Sequence, residues 1–177
     1  MIFTFNTLIE SAPDIVKTTL FTNKSLRERP DYHPEESAYE HIKIVTERLI
    51  PTGDMNLIFA GILHDIMKAE TAKPNPKTGW PTCPGHDVKA FEFIQESQDI
   101  QLWIETNGGD PSIVARICLN HMRFHQLSEM RETKRELTIH HWKDQGIWEY
   151  LQIFGAADNM LVDFDLNNLK KSWKSKN

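Results

Sequence analysis

The sequence predicts an all-α protein, and three observations carry that prediction. Apolar residues recur at three- and four-residue steps along most of the chain, as on one face of a helix. No segment shows a convincing alternation of apolar and polar residues, the pattern of a half-buried strand. Residues that start or break helices stand at the ends of the periodic segments. We therefore expect a helical bundle with five or more core helices.

Residues 1–30 predict one helix, an N-terminal helical extension of the domain that follows. The helix is expected to start after Ser11, where Pro13 and Asp14 favour a first turn. Pro30 ends the segment, because the residue before a proline disfavours helical backbone. The residues expected on its apolar face are Ile15, Val16, Thr19 and Leu20.

Two further helices are expected between residues 35 and 68. The first runs over 35–49, and residues 51–54 supply a break and a new cap. The second, over 55–68, is apolar on every side from Leu57 to Leu63, so we expect it to be the central buried helix. The stripe of the first helix comprises Ala38, His41, Ile42, Val45 and Leu49.

The second half of the chain predicts a loop and three helices. Proline and glycine crowd residues 74–85, which favours a loop. Helical spacing resumes over 86–96. Asp110 before Pro111 is typical of a cap followed by the first helical residue, so another helix starts there. A final long helix is expected over 142–167, with Asp158 and Leu161 on its apolar stripe.

Length and composition fit one domain over residues 31–168, followed by a basic tail over 169–177. With 20 basic and 25 acidic residues, the net charge of −5 argues against binding extended duplex nucleic acid, which needs a basic surface. Cys83 and Cys118 form no CxxC motif, so neither a disulfide scaffold nor a thiolate zinc site is indicated. No secretory signal or membrane-spanning stretch is recognised, and we expect a cytoplasmic protein.

Residues able to bind a metal lie on the predicted buried stripes. A single buried histidine is usually a satisfied core residue. A buried carboxylate, in contrast, is costly unless a cation or hydrogen-bond donors lie nearby. A metal ion neutralises carboxylates and accepts imidazole nitrogens at the same time, so one ion explains several such residues together. The candidate ligands are His41, His64, Asp65, His86, His121 and Asp158.

The order of these ligands resembles the H…HD…D pattern of the HD superfamily of metal-dependent phosphohydrolases. The segments around them are similar to the HD domain of bacterial tRNA nucleotidyltransferases, including an HPE…H entry in which His41 follows His33 by eight residues. The similarity covers about residues 30–162. The matching segments are His33-Pro34-Glu35, residues 59–68, Gly79-Trp80, residues 84–87 and residues 120–123.

The resemblance implies an HD-domain helical bundle and a metal site. His41, His64, Asp65 and Asp158 would bind a first metal, and His86 and His121 a second, with Asp65 bridging the two. If only one metal binds, His86 and His121 become phosphate donors or general acids. Imidazole and carboxylate ligands favour Mn²⁺, Fe²⁺, Co²⁺, Ni²⁺ or Zn²⁺, whereas Mg²⁺ prefers all-oxygen ligands.

Two departures from those enzymes bear on function. The 177 residues leave no room for their polymerase head, so we do not expect CCA addition. Met67 stands where the family often has glycine in HDIGK, which alters how closely a phosphate approaches the helix end, while Lys68 is retained.

The resemblance also implies hydrolysis of a phosphomonoester or cyclic phosphodiester, as in phosphatases, 2′-nucleotidases and 2′,3′-cyclic phosphodiesterases. A metal-activated water would attack phosphorus. We expect a small phosphorylated substrate, such as a nucleotide or an RNA terminus, because the body of the protein is acidic. The predicted catalytic residues are Asp65, Lys68, His86 and His121. The predicted substrate-binding residues are Lys68, Arg123, His33 and Trp80.

Other interpretations stay open. Trp80 could stack on a nucleobase as part of a lid, or it could pin the loop to the core. His125 is expected to border the site, and His140 and His141 to lie on the surface. The same helical cage holds mixed-valent di-iron oxygenases, and a non-catalytic nucleotide-binding protein could also retain the ligands.

Overall fold

The computed structural model describes residues 3–167, and within this range it contains helices and no β-strand. The all-α prediction is confirmed. An isolated bridge between Lys73 and Thr82 closes the base of the proline-rich loop. The α-helices are α1 (Phe5–Glu10), α2 (Asp14–Thr22), α3 (Ala38–Leu49), α4 (Met55–Leu63), α5 (Lys68–Thr71), α6 (His86–Glu96), α7 (Gln98–Thr106), α8 (Pro111–His125), α9 (Glu132–Asp144) and α10 (Trp148–Asp158).

Helix α4 lies at the centre of the bundle, as its all-round apolar sequence predicts. Every residue from Leu57 to Leu63 is buried, and the helix packs against α3, α8 and α10. Asp54 caps its first turn by accepting hydrogen bonds from the backbone N–H groups of Asn56 and Leu57. The core of the protein is therefore built around this helix.

The central helix ends earlier than the predicted residue 68. It stops at Leu63, residues 64–67 form turns, and α5 starts at Lys68. The fully buried Asn23 provides hydrogen bonds at this break: its amide donates to the Ile66 carbonyl over 2.8 Å and accepts from the Ala69 N–H over 3.1 Å. Backbone groups that a continuous helix would pair internally are thus satisfied by a side chain from the N-terminal segment.

The N-terminal segment contains two helices where the sequence predicts one. Thr4 caps α1, and Ser11 lies at the end of this helix and not at the start of α2. On α2, Val16 and Leu20 are buried, but Ile15 is 49% exposed and so lies off the apolar face. Phe5 and Leu8 join the same hydrophobic core as α4.

The second half of the bundle confirms α6 and α8 but divides the predicted final helix. Helix α9 ends at Asp144, and Gly146 has φ of +68°, a left-handed conformation that separates α9 from α10. Asp158 ends α10 and Leu161 is 63% exposed, so Leu161 lies on no buried stripe. Helices α7 and α9 were not predicted. The predicted basic tail, 169–177, lies outside the described residues.

Across residues 3–167, each helix is too short or too polar to cross a lipid bilayer.

Gly61 allows the close approach of α4 and α3, and Gly61→Ala is expected to destabilise the protein. An added Cβ would lie 3.0 Å from Thr46 Cα and 3.2 Å from Leu49 Cδ1. We expect the free energy of unfolding in urea to fall by about 1–3 kcal/mol, as for other overpacked cores. Without this steric conflict, alanine would raise helix stability by about 0.8–1 kcal/mol, so a stabilised variant would contradict the prediction.

Candidate metal centre

The structure brings the six predicted ligands together in one buried cluster. They form two groups, and within each group the ligand atoms lie within 4.8 Å of one another. All six residues are at most 8% exposed. The first group is His41, His64 and Asp158; the second is Asp65, His86 and His121.

Four helices and the turn after α4 position these side chains. His41 follows the Ser37 cap of α3 by one helical turn, and His121 lies near the end of α8. His86 is the first residue of α6, and Asp158 is the last residue of α10. The end of α4 supplies the remaining two ligands. Side chains from helix ends and from within helices therefore converge at one place in the core.

Asp65 connects the two groups because its two oxygens face different histidine pairs. Its Oδ2 lies 3.1 Å from His64 Nε2 and 3.4 Å from His41 Nε2. Its Oδ1 lies 3.0 Å from His86 Nε2 and 3.4 Å from His121 Nε2. This is the arrangement of a bridging carboxylate.

Asp158 is the second carboxylate of the cluster. Its Oδ1 lies 2.8 Å from His41 Nε2 and 3.5 Å from His64 Nε2. Its Oδ2 lies 2.7 Å from Nε2 of His125, whose side chain is 35% exposed. Asp158 therefore joins the first group to the partly exposed end of α8.

The other nitrogen of each clustered histidine is held by a hydrogen bond outside the cluster. Nδ1–H of His64 donates to the Gly61 carbonyl over 3.0 Å, and His41 Nδ1 donates to the Glu35 carboxylate. His86 and His121 donate in the same way to the carbonyls of Cys83 and Cys118, each over 2.6 Å. A proton on Nδ1 leaves a lone pair on Nε2 of the neutral ring, and this is the usual arrangement of metal-binding histidines.

These lone pairs face one another as well as the carboxylates. His41 Nε2 lies 3.3 Å from His64 Nε2, and His86 Nε2 lies 3.3 Å from His121 Nε2. Asp65 Oδ1 is buried without a hydrogen-bond partner among the described residues. Imidazole lone pairs and carboxylate oxygens that converge in this way need a proton or a metal ion between them. The donor set therefore fits one or two divalent metal ions.

The electrostatics of the cluster favour a cation strongly. Burial disfavours a charged imidazole, but the carboxylates of Asp65 and Asp158 outweigh it and raise the pKa of His64 to about 10. The pKa values of both carboxylates lie well below their usual range: burial opposes this shift, and the charge of His64 is the main cause of it. A site that would hold a proton this firmly is suited to hold a metal ion in its place.

Lys68 lies in the cluster, but its ammonium is already paired. Nζ is 2.7 Å from Asp65 Oδ2 and 2.7 Å from Glu28 Oε1, and the residue is only 5% exposed. Burial opposes its charge, yet the two carboxylates raise the pKa of Lys68 above its usual value. The structure thus places this predicted phosphate ligand between two carboxylates.

The remaining predicted substrate residues differ in their contacts. His33 borders it, with Nδ1 3.0 Å from Glu35 Oε1 and a side chain that is 25% exposed. Arg123 is exposed and donates to Thr138 Oγ1 on α9 over 3.1 Å.

Trp80 belongs to a separate groove formed by the proline-rich loop itself. The groove has a volume of about 510 Å³ and is lined by residues of 72–81, and none of the six clustered ligands lines it. His140 and His141 are exposed on α9, as expected.

Sequence reasoning assigned no role to Glu28 or Glu35, although Glu35 contacts His41 and Glu28 contacts Lys68. Glu35 stands in the HPE motif, and that motif is the signal that could have found it. Burial opposes its charge, but hydrogen bonds from His33 and His41 lower the pKa of Glu35 to about 2. Glu28 lies in an aperiodic segment without any such signal.

The chain was compared with protein-family models, with curated proteins and with solved structures, and none matched.

We expect the protein to bind two divalent ions and a His86→Ala, His121→Ala double variant to bind one. The double variant keeps the first group intact but removes both imidazoles of the second. Anaerobic titration with Co²⁺, followed by its visible absorption and by metal analysis, measures the number of ions. A wild-type protein that saturates at one ion would contradict the two-ion arrangement.

Asp65→Ala is expected to abolish metal binding, because this carboxylate faces all four histidines. Metal analysis of the purified variant tests this expectation. The matched control is Asp99→Ala, which removes an exposed aspartate on α7. Normal metal content in Asp65→Ala would refute the assignment of Asp65 as a ligand.

Proposed function

We propose that this protein is an HD-type, metal-dependent phosphohydrolase that acts on a small phosphate ester. The observation that carries the proposal is the Asp65 carboxylate, which spans two histidine pairs whose lone pairs converge on it. The H…HD…D order of the sequence supports the same function.

The residues divide into two metal-binding groups with one shared member. His41, His64 and Asp158 would hold one ion, and His86 and His121 the other, while Asp65 faces the histidines of both groups. Divalent ions bound at these groups would supply a Lewis acid for phosphoryl oxygens and a source of nucleophilic water at neutral pH. The imidazole-rich donor set favours Mn²⁺, Fe²⁺, Co²⁺, Ni²⁺ or Zn²⁺ over Mg²⁺.

The partly exposed residues at the edge of the cluster mark where a substrate reaches it. His125 and His33 are 35% and 25% exposed at their side chains, whereas the six ligands are buried. His125 is hydrogen-bonded to Asp158, so its ring is held in place at the rim. We assign these two residues to the substrate approach.

The substrate class follows from charge and size. An acidic chain with its charge-bearing centre buried suits a small or single-ended phosphate ester, such as a nucleotide or an RNA terminus. Extended duplex nucleic acid would need a basic surface that the composition does not favour. Trp80, which is partly exposed in the separate groove, is the candidate for stacking on a base.

A di-iron oxygenase of the same helical type is the second candidate, and the pairing of Lys68 favours it. This ammonium is neutralised by Glu28 and Asp65, so it does not offer an unpaired positive charge to a phosphate. Carboxylate and imidazole ligands also suit iron. The third possibility is a protein that binds nucleotides without turnover, and the assay described next distinguishes it from the two enzymes.

We expect metal-dependent phosphate release from linear or 2′,3′-cyclic nucleotides. The protein is loaded separately with each of the five metals and assayed against a nucleotide panel, with O₂ consumption recorded in the iron sample. Asp65→Ala is expected to lose the activity and Asp99→Ala to keep it. O₂ consumption without phosphate release supports the oxygenase, and tight nucleotide binding without either reaction overturns the enzyme proposal.

A further inference from the structure

We propose that the segment over residues 26–37 is part of the metal centre, in which Glu28 and Glu35 act as positioning residues. Glu35 holds His41 directly, and Glu28 acts on Asp65 through Lys68. The inference deepens the proposed function and rests on the metal centre assigned there.

Glu35 fixes His41. The Glu35 side chain is 3% exposed, and its Oε1 accepts the Nδ1–H of His41. A proton held on Nδ1 keeps the lone pair on Nε2, which faces Asp158 Oδ1 at 2.8 Å and Asp65 Oδ2 at 3.4 Å. A carboxylate behind a metal-binding histidine sets its tautomer and orientation and raises its basicity.

Glu28 fixes Asp65 through Lys68. The Glu28 side chain is 10% exposed, and Oε1 lies 2.7 Å from Lys68 Nζ. The same ammonium lies 2.7 Å from Asp65 Oδ2, the oxygen that faces His41 and His64. Because Lys68 is held on both sides, the plane of the Asp65 carboxylate is held as well.

His33 joins the two glutamates. Its Nδ1 is 3.0 Å from Glu35 Oε1, and its Nε2 is 3.7 Å from Glu28 Oε1. The contacts therefore form a closed ring that starts and ends at the bridging carboxylate. In order, its members are Asp65, Lys68, Glu28, His33, Glu35 and His41.

This ring is poorly explained by packing alone. Glu28 Oε2 and Glu35 Oε2 are both buried without a hydrogen-bond partner among the described residues. An unsatisfied buried oxygen is destabilising, and well-packed apolar residues often replace a buried ion pair without loss of stability. The carboxylates are therefore better explained by what they do to His41 and Asp65.

The first test removes the Glu35 hydrogen bond. In Glu35→Ala, we expect the Co²⁺ ion of the His41 group to bind about 10–100-fold more weakly, with an altered visible spectrum, while the ion of the His86 and His121 group stays bound. Glu35→Gln keeps an amide oxygen that can accept from His41, so it should recover most of the affinity. The control is Glu36→Ala, the exposed neighbour in sequence.

The second test separates positioning from stability at Glu28 and Lys68. Lys68→Met alone leaves Glu28 buried and unpaired, so the variant is expected to be destabilised. The Glu28→Gln, Lys68→Met double variant removes the Glu28 charge and should recover part of the thermal midpoint of unfolding, yet still bind Co²⁺ more weakly than wild type because Asp65 has lost its positioning contact. The control pair is Glu92→Gln with Lys89→Met, an exposed ion pair on α6 with a 3.0 Å contact.

The outcomes distinguish this inference from the proposed function. A wild-type protein that binds no metal overturns the metal centre itself. If wild type binds one or two ions, a Co²⁺ affinity at or above the wild-type value in Glu35→Ala, or in the Glu28→Gln, Lys68→Met protein, overturns the positioning role of the residue changed and leaves the metal centre standing. Equal weakening in Glu35→Ala and Glu35→Gln overturns the hydrogen-bond explanation for Glu35.

Discussion

A carboxylate that is only 2% exposed must be neutralised inside the protein, and the fold around Asp65 is arranged to do this. Helices α3, α6 and α8 and the end of α4 each direct a histidine Nε2 at its oxygens, and Lys68 adds a positive charge. When these rings are neutral, they carry their protons on the far nitrogen and offer Nε2 lone pairs, so the cluster needs protons or metal ions between its ligand atoms. This need for cations is the physical basis for assigning a candidate metal centre.

The break after α4 lies beside Asp65, and the N-terminal segment packs against it. The central helix stops next to Asp65, and the buried Asn23 pairs with the backbone of Ile66 and Ala69. The same N-terminal segment supplies Glu28, which reaches the cluster through Lys68. The sequence pattern predicts that residues 1–30 form an extension of the domain. In the structure, Asn23 and Glu28 contact the centre of the protein, which gives that segment a role in holding the site.

The six clustered residues could be singled out from the sequence because each stands on or beside an apolar stripe, where a histidine or aspartate is uncommon. Helices with many buried residues, such as α4 and α8, were predictable for the same reason. Helix α9 was not, because Thr138 and Trp142 are its buried residues and two positions give no clear period. Glu28 could not be predicted as a site residue. Its segment has no helical period that would mark a buried position, and its partner Lys68 lies 40 positions away in the sequence.

The four histidines are held in two different ways, and this makes the two halves of the centre unequal. Nδ1 of His64, His86 and His121 is bonded to the backbone carbonyl three residues earlier in each case. Those ring orientations follow from the local chain path and change only if the backbone moves. His41 is instead held by the side chain of Glu35, which belongs to the segment before α3. An ion held at His41 would thus depend on how that segment packs, whereas an ion held at His86 and His121 would depend on α6 and α8.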